Sequence, residues 1–188
     1  EVGFSLPVQW VNGPNQDFRG CAGTVATGEI RPGDEIVALP SGRRSHVARI
    51  VTADGDLEVA HEGQAITLTL RDELDVSRGD VIADAHRPAQ VADQFAAHVL
   101  WMGEQPLLPG RPYWLKIGTR TVSASITEIK HKTDVNTQEP LAAKHLELNE
   151  VGFCNLYLDQ PVPFEAYTDN RTLGGFILID RQTNATVA

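Results

Sequence analysis

Glycine and proline interrupt residues 18–42 so often that no apolar run there is long enough for a helix. Residues 24–26 and Glu35–Leu39 are two short apolar runs, punctuated by Gly20, Gly23, Gly28, Pro32-Gly33 and Ser41-Gly42. Val25 and Ile36 suit a pleated, half-buried surface. Glycine and the Pro-Gly pair supply turn geometry. The stretch therefore reads as strand, tight turn, strand, in the manner of a small antiparallel barrel.

The same alternation of short strands and turns continues along the chain. Residues 4–11 form a first strand, with Pro7 marking an edge, and Asn12-Gly13-Pro14-Asn15 reads as a turn cluster. Residues 45–51 are a strand and Asp54-Gly55-Asp56 a turn. Residues 64–70 alternate, with Ile66, Leu68 and Leu70 inward against Thr67 and Thr69. A polar loop over 72–80 leads to a closing strand at 81–83, and 86–90 reads as a linker. Phe95, Ala97, Val99 and Trp101 recur with period two, which favours a strand over a helix at 93–102. Residues 113–117 and 121–126 form a hairpin turning at Gly118-Thr119. Residues 128–146 are polar and mixed, with a helical turn expected near 141–144. A strand at 153–158 is followed by Pro161 and Pro163, which break the chain, then by strands at 176–179 and 185–188. The fold class is all-β: two consecutive small antiparallel barrels, residues 1–88 and 93–188, each about 90 residues long and so at the small end for a domain.

Charge narrows the function. The chain of 188 residues carries a net charge of -9. Residues 1–88 hold 8 Arg, no Lys and 14 acidic residues, and 89–188 hold 8 basic and 11 acidic ones. Neither half has the basic stripe that a phosphate backbone requires, which argues against nucleic acid as a main partner. No apolar run approaches the roughly 18 residues of a membrane helix. The N-terminus Glu1-Val2-Gly3-Phe4 has neither a signal peptide's pattern nor a starting Met, so the chain reads as a piece of a longer cytoplasmic protein. Cys21 and Cys154 are expected reduced, as small apolar residues. The sequons at Asn170 and Asn184 carry no weight without a secretory signal.

Catalytic constellations are missing. No Gly-x4-Gly-Lys-Ser/Thr cradles a phosphate. His46, His61, His86, His98, His131 and His145 show no ligand spacing among themselves or with cysteine, so no metal site is expected. Asp54-Gly55-Asp56-Leu57-Glu58 lacks a calcium-loop pattern and reads as a solvated turn. Ser77 and Cys21 have no base evident nearby, no Gly-x-Ser-x-Gly elbow is present, and Asp72-Glu73 is an ordinary acidic loop pair. Trp10, Trp101, Trp114 and Tyr113 would serve as a base-stacking platform only beside basic charge; packing or an interface anchor is the better reading. No catalytic, cofactor-binding or metal residue is assigned.

Gly23-Thr24-Val25-x-x-Gly28, followed by Gly33-Asp34-Glu35-Ile36, resembles the opening of the second domain of translation-factor GTPases of the elongation factor Tu type. Pro7-Val8-Gln9-Trp10-Val11-Asn12, Asn15-x-Asp17-Phe18-Arg19-Gly20 and Trp101-Met102-Gly103-Glu104-Gln105-Pro106-Leu107 are more specific. They resemble the large, GTPase-type subunit of bacterial sulfate adenylyltransferase. Asp134-Val135-Asn136-Thr137, Leu148-Asn149-Glu150-Val151-Gly152 and the run from Thr172 to Arg181 are similar to later parts of that subunit.

The resemblance implies barrels of the domain II and III type in a regulatory subunit. That subunit couples GTP hydrolysis to adenylyl transfer from ATP onto sulfate, giving adenosine 5'-phosphosulfate and pyrophosphate. The chemistry would belong to a separate catalytic subunit. GTP and Mg would belong to a GTPase domain preceding the barrels, and some members carry a fused adenylylsulfate kinase after them. The implied partners are the catalytic subunit, the GTPase domain and, where fused, the kinase. The barrels themselves would hold no cofactor. His131-Lys132-Thr133-Asp134 lacks the Asn and the βα setting of a guanine-reading motif, and Asp75 to Gly79 misses the switch motif in spacing. The alternative is a pair of tRNA-handling barrels from a translation factor, and a third reading is a small-molecule barrel lined by the tryptophans.

Overall fold

The structure, a computed structural model, describes residues 2–15, 18–134 and 136–188. Asp17 and Val135, each inside a motif quoted above, lie outside the described residues.

The chain divides into two compact units. The first takes in the chain through Val91 together with Ile117–Arg120 and Val162–Gly175. Its strands are β1 (Ser5–Pro7), β2 (Trp10–Asn15), β3 (Phe18–Thr24), β4 (Glu29–Ile30), β5 (Glu35–Leu39), β6 (Arg43–Thr52), β7 (Gly55–Leu57), β8 (Ala60–His61), β9 (Ala65–Leu70) and β10 (Val81–Asp84). The main sheet runs β1-β10-β5-β6-β9-β3-β2, with β7 added to β6 and β4-β8 as a separate ribbon. The two ends of that order are one stretch of chain. Leu6 pairs with Ile82 and Trp10 with Ala22, and between them the Gln9 N–H donates to Ala22 O at 2.9 Å. Residues 5–15 thus leave β10 for β3 and close the sheet into a barrel, which removes its edges. The change of partner follows Pro7, which has no N–H to contribute to a ladder.

Leu6, Val8, Ile36, Val47, Ile50, Leu68 and Ile82 are each 0% exposed and fill the barrel. Burying one such side chain contributes about 1.5–3 kcal/mol. The β4-β8 ribbon adds Ile30 and Ala60 to this core. A second cluster lies on the opposite face of β5 and β10, where Val37, Leu39, Val81 and Ala83 pack with Leu173. Both faces of these two strands are covered, which is why they read as continuous apolar runs rather than alternating ones.

Several expectations change here. β3 and β5, which frame the glycine-rich stretch, are not a hairpin: β3 pairs with β2 and β9, and β5 with β10 and β6. Gly28 turns the chain with φ +69, and a Cβ there would meet Phe4 N at 2.7 Å, so only glycine lets the connection pass. Residues 12–15, expected as a turn, continue β2 with an irregular register between Asn12 and Asn15.

The second unit comprises Ala92–Lys116, Thr121–Pro161 and Phe176–Ala188. The strands β11 (Gln90–Leu100), β12 (Pro112–Ile117), β13 (Arg120–Thr133), β14 (Pro140–Leu141), β15 (Val151–Phe164) and β16 (Phe176–Ile179) form its sheet, in the order β11-β15-β13-β12-β16, with β14 on β13. Val187 N–H donates to Leu178 O, and Met102 N–H donates to Val187 O at 2.7 Å. The last residues therefore tie β16 to the chain just after β11. Val99, Trp101, Tyr113, Leu115, Ile126, Leu156 and Leu158 form the core.

The expected strand at 93–102 and the hairpin at Gly118-Thr119 are present. Gly118 takes φ +56 in the two-residue turn, as a glycine-led hairpin turn requires. The helical turn near 141–144 is absent: residues 140–141 pair with β13 instead. Pro161 and Pro163 do not break β15. Its ladder with β13 ends at Leu158, so both prolines lie where one side of the strand needs no donor. A short helix that the sequence reading missed, α1 (Arg171–Gly174), precedes β16.

Candidate functional site

In the first unit, α1 is seated by a chain of buried hydrogen bonds. Asn170 is 1% exposed. Its side-chain oxygen accepts from Thr172 N–H and Leu173 N–H, which caps the helix. Its amide Nδ2 donates to Ser5 Oγ at 3.0 Å. Ser5 Oγ lies 2.7 Å from Thr27 Oγ1, which donates to Gly3 O at 2.8 Å. With Thr27's one hydrogen committed to that carbonyl, Ser5 is the donor to Thr27. The direction of the relay is fixed from Asn170 to Gly3, and the Asn170 amide also donates to Glu165 Oε2 at 3.4 Å.

The β12–β13 hairpin tip is held in the same unit. Thr119 Oγ1 donates to Val8 O at 2.8 Å. Arg120 donates to Asp80 Oδ1 at 3.2 Å, with side-chain exposures of 18% and 16%. These contacts hold the tip in place, with the Thr119 hydroxyl and the Arg120 guanidinium both engaged.

In the second unit, Phe153 on β15 gathers a cluster. Its ring stacks on His131 with centroids 5.6 Å apart and is tilted against His98 at 4.8 Å. Lys130 Nζ stands 5.4 Å over the same ring. Local register explains the grouping. β13 slips between Ile129, opposite Cys154, and His131, opposite Phe153, so Lys130 is the extra residue of a bulge. The bulge gives two consecutive side chains, Lys130 and His131, to the Phe153 face. His131 Nδ1 is shielded from solvent and has no hydrogen-bond partner. Nothing in the sequence joins His98, Lys130, His131 and Phe153; only the strand register does.

The residues singled out by sequence are dispersed. Trp101 is 2% exposed, donates from Nε1 to Gln105 O and meets Tyr113 edge-on, so both are core. Trp114 carries the Arg181 guanidinium at 4.2 Å. Trp10 is 63% exposed. Cys21 and Cys154 are free and buried, and burial pushes both thiols up to about 11, which keeps them protonated and unreactive at neutral pH. Asp56 grips Arg49 through two hydrogen bonds beside the Gly55 turn. Lys132 pairs with Glu150 at 2.7 Å, and Asp134 caps a turn by accepting from Asn136 N–H and Thr137 N–H. Ser77 N–H donates to Asp80, and Asp72 accepts from Ser45 Oγ. His46 lines a cleft of about 420 Å³ with Glu29, Asp34, Glu35, Asp84 and His86. His61, His86 and His145 sit beside Glu29, Glu35 and Glu147. Among the described residues no group of three or more His, Cys, Asp or Glu is placed to hold a metal. The Asn170 sequon is buried with its side chain committed to hydrogen bonds, and Asn184 takes φ 58 in a turn.

Asp180 supplies a pH expectation. The Thr183 N–H, then the Gln182 N–H, hold its carboxyl below the usual range, with Arg111 adding to the effect. A depressed folded pKa gives stability that is present above the unfolded value of about 4 and is lost as pH falls through the folded value. Asp180→Asn is expected to flatten the fall of the thermal midpoint below about pH 4. Thermal scans of both proteins from neutral to acid pH check this; an unchanged slope counts against the assignment.

Among the described residues, no helix is long and apolar enough to cross a membrane. A family profile described as GTP-eEF1A C-terminal domain-like matches residues 94–188. Over 97% of its length the chain is 59% identical to a "Bifunctional enzyme CysN/CysC" of Xylella fastidiosa, of which it spans 29%. It is 53% identical, again over 97%, to a "Sulfate adenylyltransferase subunit 1" of Aeromonas salmonicida, of which it spans 39%. It is 52% identical over 100% to a "Bifunctional enzyme NodQ" of a Rhizobium species, of which it spans 29%. The chain thus spans well under half the length of these relatives. A solved structure of sup35 complexed with GMPPNP superposes with a TM-score of 0.84 at 20% identity, over 99% of this chain and 46% of that one. At that identity the likeness is one of fold.

Proposed function

The chain belongs to the GTP-eEF1A C-terminal domain-like family, and from that premise we propose that its two barrels are the non-catalytic part of the GTP-hydrolysing regulatory subunit of a cytoplasmic sulfate adenylyltransferase. The observation that carries this reading is the 53–59% identity to sulfate adenylyltransferase subunit 1 and CysN/CysC over 97% of the chain. In this reading the enzyme converts ATP and sulfate to adenosine 5'-phosphosulfate and pyrophosphate. The adenylyl transfer takes place on a separate catalytic subunit. GTP and its Mg are held by a GTPase domain outside these residues, in keeping with the missing phosphate-cradling motif. The barrels fix the GTPase domain and present surface to the catalytic subunit, and the bifunctional relatives support a fused kinase in some members.

The structural chemistry fits a scaffold. The polar networks are spent on seating segments, the thiols are buried, and the ion pairs described above lie within the fold. The test is a calorimetric titration with the catalytic subunit at two salt concentrations, with GTP and tRNA titrated separately. Saturable binding of the catalytic subunit without GTP binding by the barrels is expected. Tight, salt-dependent tRNA binding in its place would overturn the reading.

A further inference from the structure

The Phe153 cluster has more cationic capacity than the fold uses. Lys130 and His98 are exposed and His131 is half-buried, in a chain whose net charge is -9. Among the described residues no carboxylate pairs with any of the three, whereas the neighbouring Lys132 is neutralised by Glu150, itself beside His145. Glu128, on the neighbouring β13 rung, accepts from Asn155 Nδ2. Along β15 the same face continues to Tyr157, which is 47% exposed. A half-buried aromatic ring flanked by a lysine and two imidazoles, with an exposed tyrosine beyond it, is the composition of an interface anchor rather than of a solvated sheet face. Packing alone requires neither the bulge that re-aims Lys130 nor two imidazoles on one ring. An unpaired buried nitrogen such as His131 Nδ1 is a cost that a closed fold normally avoids.

We propose that the face formed by His98, Lys130, His131, Phe153 and Tyr157 is a docking surface for an acidic segment of the catalytic subunit. The partner's carboxylates pair with Lys130 and His98, and its chain covers Phe153. Charge complementarity selects an acidic occupant. The proposal rests on the sulfate adenylyltransferase reading above and gives it a surface.

The test uses the full-length protein and the catalytic subunit, titrated at low and moderate salt. Lys130→Glu and His98→Glu alter exposed side chains, so folding is retained, as unchanged thermal midpoints would verify. Each is expected to weaken binding about tenfold or more and to reduce its salt dependence. Lys116→Glu makes the same charge change as Lys130→Glu at an exposed β12 position outside the cluster and is expected to leave the affinity within about twofold. If the unaltered protein does not bind the catalytic subunit, the functional reading falls and this surface with it. If it binds and the Lys130 and His98 variants bind equally well, or Lys116→Glu weakens binding as much as they do, the surface alone is overturned.

Discussion

Asn170→Ala is expected to destabilise the first unit by about 2–4 kcal/mol. The change removes an N-cap, worth about 1 kcal/mol. It also strips Ser5 of its donor in a buried site, where a lost partner costs about 1–3 kcal/mol. The two contributions separate in a companion variant. Asp caps a helix as well as Asn does, but Asn170→Asp cannot donate to Ser5 Oγ and places a carboxylate against an oxygen whose hydrogen is already committed to Thr27. Asn170→Asp is therefore expected to be nearly as damaging as Asn170→Ala. Glu165 compounds the effect, since it also contacts the Asn170 amide and its own carboxyl is held up by burial. Amide exchange at β1 and β10 reads the loss where it occurs. If Asn170→Asp matched the native protein, the relay would carry no stability and Asn170 would act as a cap alone.

Arg120→Met is expected to cost a similar amount, about 2–4 kcal/mol, because it leaves Asp80 charged and mostly buried without its counter-ion. Asp80 retains the Ser77 N–H, which holds the effect below that of a fully stranded charge. The double variant Arg120→Met/Asp80→Leu is expected to recover much of the loss, since an apolar pair of similar size removes the unpaired charge. Urea unfolding of the single and double variants forms the cycle. Additive losses would mean that the two groups act separately.

Strand content was legible because its signals are local. Period two at Phe95, Ala97 and Val99 matches β11, with Trp101 buried just after it, and Gly118-Thr119 is the turn between β12 and β13. Pairing was not legible. Gly20, Gly23 and Gly28 advertise a hairpin onward to β5, but beyond β2 the partner of β3 is β9, more than forty residues on, and nothing local encodes that register. The helix was missed because one turn is too short for periodicity, and its stability comes from Asn170 and from Leu173 in the β5–β10 cluster. The prolines in β15 misled for the same reason: a proline's penalty depends on whether a neighbour needs its donor, which only the sheet reveals. The scarcity of catalytic motifs was readable directly. The Phe153 cluster was not, because a single-residue bulge in β13 creates it.

The first unit draws on Val162–Gly175 as well as on the chain's beginning. On a ribosome the residues emerge in order, and N-terminal domains generally fold first. Here β1 to β10 can pair once Asp84 is out, yet the outer face of β5 and β10 still lacks Leu173, and Ser5 still lacks Asn170. The nascent barrel must wait with that apolar seam uncovered while about ninety further residues are made, a delay set by sequence separation rather than by chemistry. Translation speed across residues 92–161 therefore governs how long the half-finished barrel is exposed to aggregation, and slowing synthesis there should raise its demand for chaperones.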